Sequence, residues 1–176
     1  MNREACLSDT SVEAAFATAP GSGIQMRGFQ PGDAEAFRRL NEDWIRMYFR
    51  MEEHDHLILD DPEGHILARG GYIFVAVAGC EVIGCCALIW LRPGVFELAK
   101  MAVAKEYRGQ GIGRQVLEYT IAQAKALGAK SLTLGSNTKL ANAVHLYESL
   151  GFRHLDPETL PPSPYARANV FMELQF

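Results

Sequence analysis

Val103-Ala104-Lys105-Glu106-Tyr107-Arg108-Gly109-Gln110-Gly111-Ile112-Gly113-Arg114 is the stretch on which the fold of this chain turns. Before it, residues from about Val95 to Ala104 read as a strand. After it, Gly113, Val116, Leu117, Thr120, Ile121, Ala124 and Leu127 fall on one helical stripe, closed by Gly128. Three glycines at alternate positions let the backbone turn tightly between the two elements and leave its amides uncovered. Free amides at a helix N-terminus, helped by the helix dipole, make an anion site suited to phosphate. Arg108 and Arg114 add guanidinium forks that match phosphate oxygens.

Two familiar phosphate motifs fail at defined positions. A Walker A loop needs Gly-Lys-Ser/Thr after its last glycine, and Arg114-Gln115 stand there instead. A dinucleotide fingerprint starting at Gly109 needs glycine at position 114, and the next strand, Ser131–Leu134, does not end in a ribose-binding acid. A turn that merely connects strand to helix is the plain alternative.

The rest of the chain frames this turn. Its 176 residues, 48% hydrophobic, suit one compact domain and exclude disorder for most of the length. Residues 1–23 read as a loosely ordered arm, and 24–176 as the folded domain. Ile24–Phe29 alternates as a strand. Pro31-Gly32-Asp33 leads into a helix over 34–51 with Asp33 as its cap, and 52–71 reads as a long irregular loop. Tyr72–Ala78 and Val82–Leu91 form a hairpin across Gly79-Cys80-Glu81. A helix carrying Leu140, Ala143, Val144, Tyr147 and Leu150 precedes strands at 152–155 and about 167–175. The fold class is therefore α+β, a mixed and mostly antiparallel sheet of about seven strands flanked by helices.

Seventeen Lys and Arg against 21 Asp and Glu give a net charge of −4, which supplies no global attraction to nucleic acid or anionic lipid. No apolar run reaches the length of about 20 residues that a membrane helix needs, so a cytoplasmic protein is expected. Cys6, Cys80, Cys85 and Cys86 lack the spacing of a disulfide or zinc framework, and Cys85 and Cys86 should face opposite sides of a strand. His54, Asp55, His56 and Asp60 read as solvated loop residues, and no metal is expected.

Arg108, Gly111 and Gly113 match an Arg-x-x-Gly-x-Gly pattern, and here the chain resembles the GCN5-related N-acetyltransferase (GNAT) superfamily. Glu97–Val103 resembles that family's fourth strand, and Asn137 the end of its fifth. Asn142, Leu146-Tyr147-Glu148 and Leu150-Gly151-Phe152 resemble its last helix and the strand after it. The stretches Tyr48–Asp55, Glu97–Val103, Ser136–Leu140 and Tyr165–Asn169 are similar to a bacterial subgroup whose members often stand alone or follow a MarR-type domain. No such domain is expected here, since few residues precede Ile24.

The resemblance implies acetyl-CoA as donor and a small-molecule amine, amino-acid-like or otherwise, as acceptor. Homodimers are frequent in the family. It assigns the pyrophosphate to Arg108, Gly109, Gln110, Gly111, Ile112, Gly113 and Arg114. The pantetheine arm falls to the backbone of Met101, Ala102 and Val103, with Asn137 and Asn142 beside it. Glu97 is the candidate general base, since histone-acetylating relatives carry theirs at this point of the fourth strand. A carboxylate in a central apolar strand is also costly unless used or paired with a neighbouring cation. Simple alternation puts Glu97 on one face with Ala99, Met101 and Val103, and Lys100 on the other; a bulge, common in this strand of the family, would shift the later residues across.

Tyr147 is the candidate acid for the leaving thiolate; its bland alternative is a core aromatic. Tyr48, Glu53, Tyr165 and Arg167 are candidates for the acceptor. The acidic surplus, including Glu52, Glu53, Asp55 and Glu97, is expected where a cationic amine would enter, opposite the basic phosphate turn. A non-catalytic acyl-CoA-binding module is the rival function, and it shares the cofactor site.

Overall fold

The computed structural model describes residues 23–156, 158, 160 and 162–176. Apart from Gly23, the arm expected at 1–23 lies outside them, as does Cys6. β1 (Ile24–Gly28), β2 (Tyr72–Ala78), β3 (Glu81–Arg92), β4 (Val95–Val103), β5 (Ser131–Ser136), β6 (Arg153–His154) and β7 (Val170–Gln175) form one sheet ordered β1-β2-β3-β4-β5-β7-β6. Every neighbouring pair is antiparallel except β4 and β5. The helices are α1 (Ala34–Tyr48), α2 (Glu53–Asp60), α3 (Pro62–His65), α4 (Ile112–Ala126) and α5 (Ala141–Ser149).

Helices α1 and α4 cover opposite faces of the sheet, and β3 shows why. Asn41 of α1 donates to the Cys85 sulfur, whereas Gly84 lies against Val116 of α4. Neighbouring residues of a strand point to opposite faces, so the buried pair Cys85 and Cys86 serves both cores. Phe37, Leu40 and Ile45 fill one side, and Ile112, Val116, Leu117 and Ala124 fill the other. Removing that much apolar surface from water is the main stabilising term.

Two expectations change. The segment 52–71 is not an irregular loop; it contains α2, α3 and a 3-10 turn at Leu67–Arg69. Its helices are short but well capped. The Glu52 amide donates to the Asp55 carboxylate three residues on, and the Gly64 amide donates to Asp61 just before Pro62. Ile58, Leu59 and Ile66 then bury themselves under the sheet. The helix expected over 34–51 stops at Tyr48, because Phe49 adopts an extended conformation. Asp33 caps only the short turn before α1, accepting from the Gln30 amide, and is forked by Arg27.

β4 carries a bulge. Two steps along β3, from Cys85 to Ala87, oppose three steps along β4, from Ala102 to Ala99. Lys100 sits in this irregularity at φ +52°, a left-handed conformation that costs a non-glycine residue about 1 kcal/mol. On its other edge β4 pairs with β5 only from Val95 to Glu97, and beyond that point the two strands share no ladder.

Gly71 marks a second tight place. A Cβ there would lie 2.6 Å from the Leu88 carbonyl oxygen and 2.9 Å from that of Ile66. Gly71→Ala should therefore lower the unfolding free energy by about 2 kcal/mol. Gly79→Ala, at φ +60° with nothing within 4 Å of the added carbon, should lower it by only about 1 kcal/mol. Urea unfolding of the two variants measures the difference.

Candidate functional site

Where β4 and β5 part, a cleft of about 420 Å³ opens, floored by Glu97 to Val103 and walled by the end of β5, the start of α5 and the loop before β7. At one end lies the glycine turn. Gly109 and Gly111 have φ of +75° and +79°, and nothing stands within 4 Å of where their Cβ atoms would be. The first bond of α4 runs from the Gln115 amide to the Gly111 carbonyl, so the amides of Ile112, Gly113 and Arg114 have no helical partner. An open cradle with free donors fits a pyrophosphate.

The two arginines have structural duties as well. Arg108 Nε donates to the Val103 carbonyl and braces the turn against β4, 3.0 Å away. Arg114 bridges to Ser149 of α5 at 2.7 Å and pairs with Glu118. Only Arg108 and Gly109 of the turn line the cleft itself; Gln110, Gly111, Ile112, Gly113 and Arg114 do not. Asn137 lines the cleft while tying β5 to the final loop, accepting from the Lys139 amide and donating to the Arg167 carbonyl. Asn142, also on the wall, has no side-chain hydrogen bond among the described residues.

The bulge decides what faces the cleft floor. Ala99 pairs with Ala87, and Ala102 with Cys85, so both lie on the α1 side. Two residues, Lys100 and Met101, separate them. Lys100 reaches Asp55 of α2 and so joins Glu97 on the α1 face, while the Met101 methyl and Val103 approach Gly113 of α4. Simple alternation, which set Lys100 opposite Glu97 and kept Met101 and Val103 beside it, is therefore corrected.

Glu97 lines the cleft with no hydrogen bond or ion pair among the described residues. The pairing with a neighbouring strand's cation, considered from sequence, is not made. Burial pushes its carboxyl pKa up, against the opposing charge of Lys100. Tyr147 is 8% exposed, meets Phe152 edge-on at 5.8 Å and lines the cleft; burial raises the pKa of its hydroxyl. Both the core and the catalytic roles considered for Tyr147 are compatible with that position. Burial pushes the Cys85 thiol up to about 12, which leaves it a poor nucleophile.

At the opposite end from the glycine turn, Asp55 is the hub of a buried charge network. Lys100 Nζ donates to it at 2.7 Å, and Arg167 grips it with two bonds of 2.6 and 2.8 Å. Arg167 also bonds Glu52 at 3.0 Å, and the Lys100 and Arg167 cations lie 4.8 and 4.5 Å from the centre of the Tyr165 ring. Burial disfavours the Asp55 carboxylate. The bonds from Arg167, the charge and bond of Lys100 and the bond from the Glu52 amide outweigh that and hold its pKa at about 2.

Tyr165 and Arg167 thus line the cleft, and Tyr48 reaches it from the end of α1, whereas Glu53 sits exposed at the start of α2, away from it. The acidic surplus expected at the amine entrance is redistributed: Glu52 and Asp55 are already committed to Arg167 and Lys100. Lys100, Trp44 and Phe49 are cleft residues that the sequence reading did not nominate. Lys100 had left a signal, a lone cation between Ala99 and Met101 in an apolar strand.

Among the described residues no group of three or more His, Cys, Asp or Glu could hold a metal ion, and no helix is long and apolar enough to cross a membrane.

Comparison with known proteins adds an independent line. Residues 69–154 match the model of the acetyltransferase (GNAT) domain. The uncharacterized N-acetyltransferase YvbK of Bacillus subtilis is 32% identical over 105 residues, covering 58% of this chain and 68% of YvbK. A GNAT-family acetyltransferase from Staphylococcus aureus superposes with a TM-score of 0.78 at 24% identity, over 86% of this chain and 98% of that one. The yncA structure from Salmonella typhimurium, solved with its cofactor acetyl-CoA, superposes with a TM-score of 0.69 at 20% identity, over 88% and 94%. The last two likenesses concern the fold.

The Asp55 network makes a stability prediction. A carboxyl held below its unfolded pKa of about 3.9 stabilises the fold above that pH, by about 2 kcal/mol here, and the contribution is lost as pH falls toward 2. Asp55→Asn leaves two cations without their shared carboxylate and should cost about 3 kcal/mol at pH 7. The gap between wild type and variant in urea unfolding should narrow steadily below pH 4.

Proposed function

The chain belongs to the GNAT family of acetyltransferases, and on that premise we propose that it moves an acetyl group from acetyl-CoA to a primary amine, of a small molecule or an amino-acid-like acceptor, by direct attack in a ternary complex. The observation that carries this is Glu97: a half-buried carboxylate without a partner among the described residues, lining the cleft at the point where β4 and β5 part.

The split between the strands, the open turn at Gly109 and Gly111, and the free amides of Ile112 to Arg114 fit the pantetheine arm and pyrophosphate of CoA. The open edge of β4 at Met101, Ala102 and Val103 offers backbone groups for a strand-like contact with that arm. When bound, acetyl-CoA supplies an activated acetyl thioester.

An alkyl amine is mostly protonated at neutral pH and must lose a proton to attack. Glu97 takes that proton; its raised pKa makes it a stronger base than an ordinary glutamate. As the C–N bond forms and the C–S bond breaks, the Tyr147 hydroxyl gives its proton to the departing sulfur. Burial keeps that hydroxyl protonated until then. The buried Lys100 charge beside Glu97 limits how far its pKa can rise, so the base stays ionised over more of the neutral range.

Glu97→Gln should lower kcat/KM by about 100-fold, and Tyr147→Phe should lower kcat by about tenfold. In the wild type, kcat/KM should rise with pH through a limb above the ordinary glutamate pKa of about 4.3, and that limb should vanish in Glu97→Gln. Thiol release from acetyl-CoA over a panel of amines measures both. An unchanged rate and profile in Glu97→Gln would remove Glu97 as the base. Tight CoA binding with no thiol release from any amine would favour a non-catalytic acyl-CoA-binding module.

A further inference from the structure

The acceptor end of the cleft has spent its acids and kept its cations. Glu52 and Asp55 are saturated by Arg167, Lys100 and backbone amides, so their charges cancel pair for pair. Glu97 is the carboxylate left uncommitted there. The donors are not used up. Lys100 makes a single hydrogen bond, and an ammonium carries more donors than that. Arg167 Nε makes none, so one edge of the guanidinium is free.

Both cations lie over the ring of Tyr165. Its hydroxyl is shut off from solvent and has no hydrogen-bond partner. A buried polar atom left unpaired costs about 1–3 kcal/mol, and an incoming ligand oxygen would recover that. The mouth of the cleft, shared with a shallow depression beside it, adds Arg50 and Lys139, neither with a carboxylate partner among the described residues.

We propose that this end of the cleft is a carboxylate subsite, formed by Lys100, Arg167 and the Tyr165 hydroxyl, so that the acceptor is an amine bearing its own carboxylate: a free amino acid. The zwitterion's ammonium faces Glu97, the spare acceptor, and its carboxylate faces the spare donors. Arg50 and Lys139 steer the anion inward and repel polycations. A polyamine would find one free carboxylate and two cations unpaired among the described residues, Arg50 and Lys139. The assignment rests on the transferase reading, and its test separates the two.

The experiment sets leucine and phenylalanine against their amides, leucinamide and phenylalaninamide, and against the decarboxylated amines, with spermidine as the polycation. Thiol release gives kcat/KM, and calorimetry on the CoA complex gives binding whether or not turnover occurs. The amide control is stringent, because its amine is less basic and more of it is neutral at pH 7.

The expected result is at least about tenfold preference for an amino acid over its amide and amine, in kcat/KM and in affinity. Tyr165→Phe should shrink that preference about tenfold through KM, with kcat nearly kept. Because nothing in the protein bonds that hydroxyl, the substitution leaves the fold intact, which urea unfolding checks. Equal or better use of the amides, the amines or spermidine overturns the carboxylate subsite while the transferase reading stands. Selective binding of amino acids without turnover supports the subsite and sinks the transferase reading. The absence of both binding and turnover of amino acids overturns the subsite.

Discussion

A 2.7 Å ion pair between Lys100 and Asp55, closed off from water, holds the left-handed residue of the β4 bulge in place. Such a pair contributes little net stability against an apolar substitute, but it is costly to break. Its value here lies in geometry. With Lys100 anchored to α2, the backbone keeps its left-handed kink, and three residues of β4 span the distance of two on β3. Glu97 and Lys100 therefore share a face, Met101 and Val103 turn to the other, and β4 stays free of β5 past Glu97.

The same pair joins the two ends of the cleft. Asp55 also holds Arg167, and through it the loop before β7; Asn137 fastens that loop to β5 from the other side. The glycine-turn end rests on backbone amides and glycine conformations, and the opposite end on a network of side-chain charges. A net charge of −4 says little about either one. At the glycine turn the positive character comes from uncovered amides as much as from arginines, while at the far end two acids vanish into ion pairs and leave a cationic mouth around one uncommitted carboxylate.

Much of this was legible before the structure. The strand–glycine turn–helix unit announced itself through composition and periodicity, and the sheet needed only counting of alternating runs. Cys85 and Cys86 were expected on opposite faces, and they are. Three things escaped. The short helices of 52–71 rest on capping by Asp55 and Asp61, a signal weaker than hydrophobic periodicity. The face of Lys100 depended on a bulge that shifts register by one residue, which alternation alone cannot locate. The partners of Glu52, Asp55 and Arg167 lie more than a hundred residues apart, so no local pattern could show that these charges neutralise one another.

The central claim is that acetyl-CoA lies in the split between β4 and β5 with its pyrophosphate on the glycine turn. Amide hydrogen exchange, residue by residue with and without acetyl-CoA, tests it most directly. The account predicts strong slowing at Ile112, Gly113 and Arg114 and along the open edge of β4 from Met101 to Val103, with β1 and β2 unchanged. Saturating acetyl-CoA that left those amides exchanging as before, or protected a different surface, would contradict it.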